Sequence, residues 1–222
     1  MKKLICLDLD NTLIYSDKSH ILAYNYSLKK YKLKLKNPNY LKLLFGMPHH
    51  KIIEIIAPNL SHEKIHELMK IHDEILIKKT YKYSKAIPGI IKALKLLKKE
   101  YDLAVVSNAS HKNILALLKG AKISNKLFKF IIGADDVKYS KPYPDEIFKA
   151  QKLEHNKADF MIGDSIYDIL AGKKAKIKTI AVLTGNYSFI LLKKQNPDYI
   201  IESVKDLPKA LKTLNNNQIR RW

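Results

Sequence analysis

Short runs of apolar residues recur along the chain at Leu4–Leu9, Leu103–Ser107, Phe130–Gly133, Phe160–Gly163 and Thr179–Leu183. Between them the apolar positions repeat at helical spacing. Runs this short, apolar on both faces and separated by helix-length segments, predict a parallel sheet covered by helices on both sides. The intervening helices are marked by their punctuation. One over Ile90–Lys99 starts after Pro88-Gly89, one over His111–Lys119 follows a Ser/Asn cluster and stops at Gly120, and one over Asp145–Lys152 follows two prolines. The expected class is α/β, with a Rossmann-like parallel sheet as its core.

The segment 16–85 breaks this rhythm. Helical periodicity shows at His20–Tyr31, Lys51–Ile56 and Glu63–Lys79, with no convincing strand. It reads as an inserted α-helical cap domain, leaving 1–15 and 86–214 for the sheet domain. The chain then crosses twice between the two, an arrangement suited to a hinge, and the cleft between them is the expected binding site. Residues 215–222 carry little periodicity and are expected to fray.

Composition adds limits. A chain of 222 residues with 46% hydrophobic content can bury a substantial core without metal or disulfide staples. The single cysteine, Cys6, sits inside an apolar run and reads as a small buried side chain, so no internal disulfide forms. No apolar run approaches the ~20 residues that span a bilayer, and Met1-Lys2-Lys3 does not open a leader segment. A cytoplasmic protein with no membrane partner is expected. The formal net charge of +20 would ordinarily point to a polyanion. Here almost all of it is lysine spread over predicted helices, and Arg220 and Arg221 are the only arginines. Guanidinium forks for bidentate phosphate and base contacts are thus nearly absent, which disfavours nucleic acid as partner. Monomer and dimer are both compatible with the sequence.

The polar residues that interrupt the apolar runs fall at the carboxyl ends of the predicted strands, where open parallel sheets place their ligands. Asp8 and Asp10 close the first run and Ser107-Asn108 the second. Asp164 follows Phe160–Gly163, with Asp168 a helical turn later, and Lys141 precedes Pro142 in a loop after another strand. Carboxylates at alternate strand positions share a side, so Asp8 and Asp10 repel unless a cation or proton lies between them. Together with Asp164 they make a hard oxygen site suited to Mg²⁺, and no Cys/His cluster has zinc spacing. Taken alone, Asp168 reads equally well as a helix cap.

These residues form four ordered motifs: Asp8-Leu9-Asp10-Asn11-Thr12-Leu13, Ser107-Asn108, Lys141 within Ser140-Lys141-Pro142-Tyr143-Pro144-Asp145, and Gly163-Asp164-Ser165-Ile166-Tyr167-Asp168. With them the chain resembles the haloacid dehalogenase (HAD) superfamily, in particular phosphatases of the phosphoglycolate phosphatase and β-phosphoglucomutase type. The likeness runs from Met1 to about Leu214, and the helical insert lies where that family carries its cap of the first type. The resemblance implies a magnesium-dependent phosphatase acting on a small-molecule phosphate monoester through an aspartyl-phosphate. It implies Asp8 as nucleophile and Asp10 as general acid and base. Ser107, Asn108 and Lys141 would bind the phosphate; Asp8, Asp10 (through its backbone carbonyl) and Asp164 would hold the metal. Thr12 would support the turn, and Asp168 would bind a metal-bound water or orient Lys141. An acid at position 10 favours a phosphate ester over a halide or phosphonate.

Asn11 departs from the pattern, since close relatives usually carry glycine there; asparagine tolerates a left-handed backbone, so the turn is expected to survive. Lys176 likewise replaces a usual glycine. In the cap, His20, Tyr24 and the run Gly46–Lys51 are the candidates for substrate contact, with His49, His50 or Lys51 placed to meet an acidic leaving group. The alternatives are a phosphomutase of the β-phosphoglucomutase type, a nucleic-acid-directed end-phosphatase or binding protein, and a silent relative used for interaction.

Overall fold

The structure, a computed structural model, describes residues 2–215. The tail expected over 215–222 lies, apart from Asn215, outside the described residues. In chain order the strands are β1 (Lys3–Leu7), β2 (Ile14–Tyr15), β3 (Lys85–Ala86), β4 (Tyr101–Val106), β5 (Phe130–Ile132), β6 (Ala158–Gly163), β7 (Lys178–Val182) and β8 (Tyr199–Ile201). The helices are α1 (Asp17–Lys29), α2 (Pro38–Lys42), α3 (His49–Ile56), α4 (His62–Ile75), α5 (Ile90–Glu100), α6 (His111–Gly120), α7 (Asp145–Glu154), α8 (Ile166–Lys174), α9 (Phe189–Lys194) and α10 (Leu207–Asn215).

Six strands form one sheet in the order β5-β4-β1-β6-β7-β8, and every pairing in it is parallel. The alternation along β1 shows why its run is apolar throughout. Ile5 and Leu7 face a core built with α5, α6 and α10, including Leu94, Leu117 and Leu207. Leu4 and Cys6 face the opposite layer, built with Ile147 and Ala150 of α7 and Ala171 of α8. Each fully buried Ile or Leu here contributes about 1.5–3 kcal/mol. Cys6 is fully buried and free, and burial pushes its thiol up to about 12.

Helices α1 to α4 lie between β2 and β3 and pack around their own centre of Tyr24, Leu28, Leu41, Ile53 and Leu68. Ala23 and Leu76 join the sheet-side core instead, which roots the helical segment on the sheet. The two crossings of the chain are not independent loops. Ile14 pairs with Ala86 and Tyr15 with Lys85 in a two-stranded antiparallel ribbon, so entry and exit are hydrogen-bonded together.

Candidate active site

Strand β1 stops at Leu7, yet Asp8 stays aligned because its N–H donates to the Ile162 carbonyl at 2.9 Å. The chain then turns tightly around the Leu9 carbonyl, which accepts from Leu13 N–H at 2.9 Å and Ile14 N–H at 3.2 Å. Asn11 makes this turn with φ 55, the left-handed conformation that its sequence position called for. Asp8 is thereby held buried at the strand ends.

Lys141 is 2% exposed and its ammonium is fully engaged. It donates to Asp8 Oδ1 at 2.7 Å, to Asp168 Oδ1 at 2.6 Å and to the Val106 carbonyl at 3.0 Å. Its own N–H is fixed by Glu146 Oε1 at 3.2 Å, a buried carboxyl that burial pushes up to about 7. Asp168 does two jobs. While Oδ1 holds Lys141, Oδ2 accepts from Ser165 N–H at 3.0 Å and Ser165 Oγ at 2.6 Å, completing the capping box that starts α8.

Asp164 stands at the end of β6 and accepts from Thr12 Oγ1 at 3.2 Å. A Cβ on Gly185 would lie 1.7 Å from Asp164 Oδ2, so only glycine leaves room for this carboxylate. Asp8, Asp164 and Asp168 offer oxygens that lie within 4.8 Å of one another. Three carboxylates thus crowd together, and one ammonium holds two of them, Asp8 and Asp168. Burial, opposed by Lys141 but reinforced by Asp168 and Asp10, pushes Asp8 up to about 7; burial and the Asp8 charge push Asp164 well above the ordinary range. An excess of negative charge presented by hard oxygens fits a divalent cation such as Mg²⁺.

Asp10 turns the other way, toward the helical segment. Its Oδ1 lies 3.2 Å from His20 Nε2, His20 Nδ1 lies 3.4 Å from His72 Nε2, and His72 Nδ1 lies 3.1 Å from Asp73 Oδ1. A chain ending in two carboxylates needs donors at both ends. One arrangement that meets this has His72 donating from Nδ1 to Asp73 and accepting at Nε2 from a protonated His20, which donates to Asp10. The electrostatics agree. Burial alone would raise Asp10, but the charge and hydrogen bond of His20 hold it below its ordinary value, and Asp10 in turn overcomes burial to raise His20. Burial lowers His72, and Asp73, tied to His72 and Asn113, is held down at about 2.

Ser107 is 1% exposed, and its Oγ accepts from Ala109 N–H at 3.1 Å. The Asn108 side chain is committed to structure: Nδ2 donates to the Gly46 carbonyl at 2.8 Å and the Lys141 carbonyl at 2.9 Å. It joins the sheet to the loop before α3. Gly46 has φ 96, and a Cβ there would meet Ser165 Cβ at 2.8 Å, so the loop comes this close only through glycine.

One cleft of about 630 Å³ collects these groups, lined by Asp8, Asp10, Ser107, Asn108, Lys141 and Asp164 from the sheet side. Thr12 and Asp168 stand directly behind. From the helical side come His20, Tyr24, Phe45, Met47, His49 and Ile52, with His72 beyond. Of the cap candidates, His20, Tyr24, Met47 and His49 line the cleft, whereas His50 and Lys51 are exposed and face an outer groove. His72 and Asp73 were not anticipated from sequence. A signal existed: His72 occupies a buried slot in the stripe Ile65, Leu68, His72, Leu76, where helical spacing calls for an apolar residue.

The sequence signature of haloacid dehalogenase-like hydrolases matches residues 5–182, a stretch that carries every member of the Asp8 cluster. The chain belongs to this family. Among its HAD-like relatives, pyrophosphatase PpaX of Oceanobacillus iheyensis is 31% identical over 206 residues, covering 91% of this chain and 94% of that protein. A phosphoglycolate phosphatase of Aquifex aeolicus is 30% identical over 212 residues, covering 94% and 96%. The crystal structure of a hydrolase from Pseudomonas syringae superposes with a TM-score of 0.81 over 96% of this chain and 99% of that one, at 24% identity, and so shares the fold. The chain is an enzyme, an HAD-like phosphatase. Among the described residues no helix is long and apolar enough to cross a membrane.

Proposed function

We propose that this enzyme hydrolyses a small-molecule phosphate monoester with Mg²⁺ as cofactor, using Asp8 as nucleophile. The observation that carries this reading is the Asp8–Lys141–Asp168 arrangement beside Asp164, with a separate acid, Asp10, on the same cleft. Residues 16–85 act as the cap and supply the wall that faces the leaving group.

Lys141 fixes Asp8 through Oδ1 and keeps a positive charge beside the attacked phosphorus. An Asp8 carboxylate oxygen forms a bond to phosphorus as the ester P–O bond breaks. Asp10 gives a proton to the departing alkoxide, and later takes one from the water that cleaves the aspartyl-phosphate, so each cycle returns the acid to its starting state. Between them His20 and Asp10 hold one proton across a 3.2 Å contact, which lets the imidazolium recharge Asp10. Ser107 and Lys141 face the phosphoryl oxygens, while the Asn108 side chain secures the loop at Gly46. Asp8, Asp164 and the Asp10 backbone carbonyl would hold Mg²⁺, which would supply positive charge to offset that of the phosphoryl group.

The names of the relatives point to two different leaving groups, so the substrate is found by screening phosphorylated metabolites with Mg²⁺ and measuring released phosphate. Asp8→Asn is expected to lower turnover of every substrate, including an aryl phosphate, by at least about a thousandfold with the fold intact. Rapid acid quench during turnover is expected to leave phosphate on the peptide containing Asp8, detected by mass spectrometry. Metal-dependent turnover surviving in Asp8→Asn would remove Asp8 from this role.

A further inference from the structure

A second group of metal-ligating side chains lies away from the Asp8 cluster. His49 at the start of α3 and His72 and Asp73 near the end of α4 each present one ligand atom, all within 4.8 Å of one another. We propose that His49, His72 and Asp73 form a second metal site, for a borderline transition ion of the Zn²⁺ class, set in the cap beside the catalytic cleft. Its three ligands are not those of the Asp8 cluster, although His72 touches His20, which meets Asp10.

The geometry is close to that of a tetrahedral centre. Zinc bonds to imidazole and carboxylate of about 2.0–2.2 Å give ligand-to-ligand edges of roughly 3.3–3.6 Å. Here His72 Nδ1 and His49 Nδ1 lie 3.1 and 3.7 Å from Asp73 Oδ1, on either side of that edge. Two imidazoles and one carboxylate select zinc, cobalt or nickel over magnesium, which prefers oxygen throughout. The three protein ligands leave a position for water or for a group of the substrate.

His49 is uncommitted on the side that faces this group: its Nδ1 lies 3.7 Å from Asp73 Oδ1, beyond hydrogen-bond reach, which leaves that nitrogen open to an ion. Its Nε2, on the other side of the ring, is buried and has no hydrogen-bond partner among the described residues. The other two ligands are already oriented as second partners orient a metal site. Asn113 Nδ2 donates to Asp73 Oδ1 at 2.6 Å, Ser110 Oγ donates to Asp73 Oδ2 at 3.2 Å, and His20 Nδ1 faces His72 Nε2 at 3.4 Å. Burial and the neighbouring His72 keep His49 well below its ordinary value, which leaves its ring neutral and its lone pair available. Ligation displaces the proton from His72 Nδ1 while Nε2 takes over the one that His20 shares with it, so one proton leaves the cluster and His20 becomes neutral. Asp73 and His49 also border the outer groove between cap and sheet domain, which gives an ion a path in.

The test is a calorimetric titration of the chelator-treated full chain with Zn²⁺ in saturating Mg²⁺, paired with the visible spectrum of the Co²⁺-loaded protein. One ion per chain is expected, with d–d bands of a tetrahedral nitrogen and oxygen centre. His49→Gln and His72→Gln are each expected to weaken binding at least tenfold, and Asp164→Asn is expected to retain it. His49→Gln forfeits no hydrogen bond, so it carries the test if His72→Gln fails to fold. Absence of stoichiometric binding, binding unchanged in both histidine variants, or binding lost only in Asp164→Asn would overturn the site.

Discussion

On the sheet side of the cleft, Asp8, Asp164 and Asp168 crowd together, and Lys141 donates to two of them and to the Val106 carbonyl at once. On the helical side, His49 and His72 meet Tyr24 and each other, and His20 stacks on His72, with ring centroids 4.3–5.5 Å apart, among Phe45, Met47 and Ile52. The first wall is preorganised charge, fixed by strand ends and a helix cap. The second is polarisable and titratable, built from helices that reach the cleft only by packing. Under the proposed function, fixed charge would serve the step that recurs with every substrate, and rings with adjustable protons the part of the reaction that varies.

The largest expected effect separates the two walls at their one contact, Asp10 to His20. Asp10→Asn is expected to lower kcat on alkyl phosphates about 10²- to 10⁴-fold, the usual contribution of a positioned general acid. His20→Asn, which leaves the carboxylate but removes its proton donor, is expected to lose less. With an aryl phosphate, whose leaving group needs little protonation, both losses are expected to shrink. Equal losses on alkyl and aryl substrates would show that Asp10 acts elsewhere than on the leaving oxygen.

Next comes the dependence of stability on pH, which belongs to the charged wall. Without metal, Asp8 is raised from 3.8 to about 7 in the folded state, so the native protein binds more protons than the unfolded chain between those values. That contribution is fully present below about pH 4 and lost as pH rises through about 7. The Tm of metal-free protein is therefore expected to fall over this window, and added Mg²⁺ to reverse the fall by holding the ionised form. A Tm that ignores Mg²⁺ at pH 7 would argue against the oxygen site.

The smallest effect lies outside both walls. Lys176 follows α8 with φ 55, a position where glycine is strongly preferred. Lys176→Gly is expected to stabilise by about 0.5–1 kcal/mol, or about 1–4 °C in Tm for a chain of this size, with kcat unchanged.

The sheet wall was legible in the sequence because its residues sit at the ends of apolar runs, so finding β1, β4 and β6 placed Asp8, Ser107 and Asp164 to within a residue or two. Asn11 was readable for the same local reason, as the left-handed backbone confirms. Strand β8, the sheet's outermost strand at Tyr199–Ile201, was not read, and the β2–β3 ribbon escaped because each arm has two residues. The helical wall was harder. His20 and His49 were read as substrate contacts, and nothing local reveals that His20 reaches Asp10 ten residues earlier, or that His72 lies against it from another helix. The expectation for Asn108 concerned a backbone amide at the phosphate; that its side-chain amide also ties two carbonyls together is visible only in the folded chain.

Asp168 was equally readable as a cap or as part of the site, and it is both, one oxygen for each task. Its substitution would appear as lost thermal tolerance in one assay and as a misplaced Lys141 in another. A change at that position is therefore expected to lower the stability of α8 by about 0.5–2 kcal/mol at the same time as it releases Lys141.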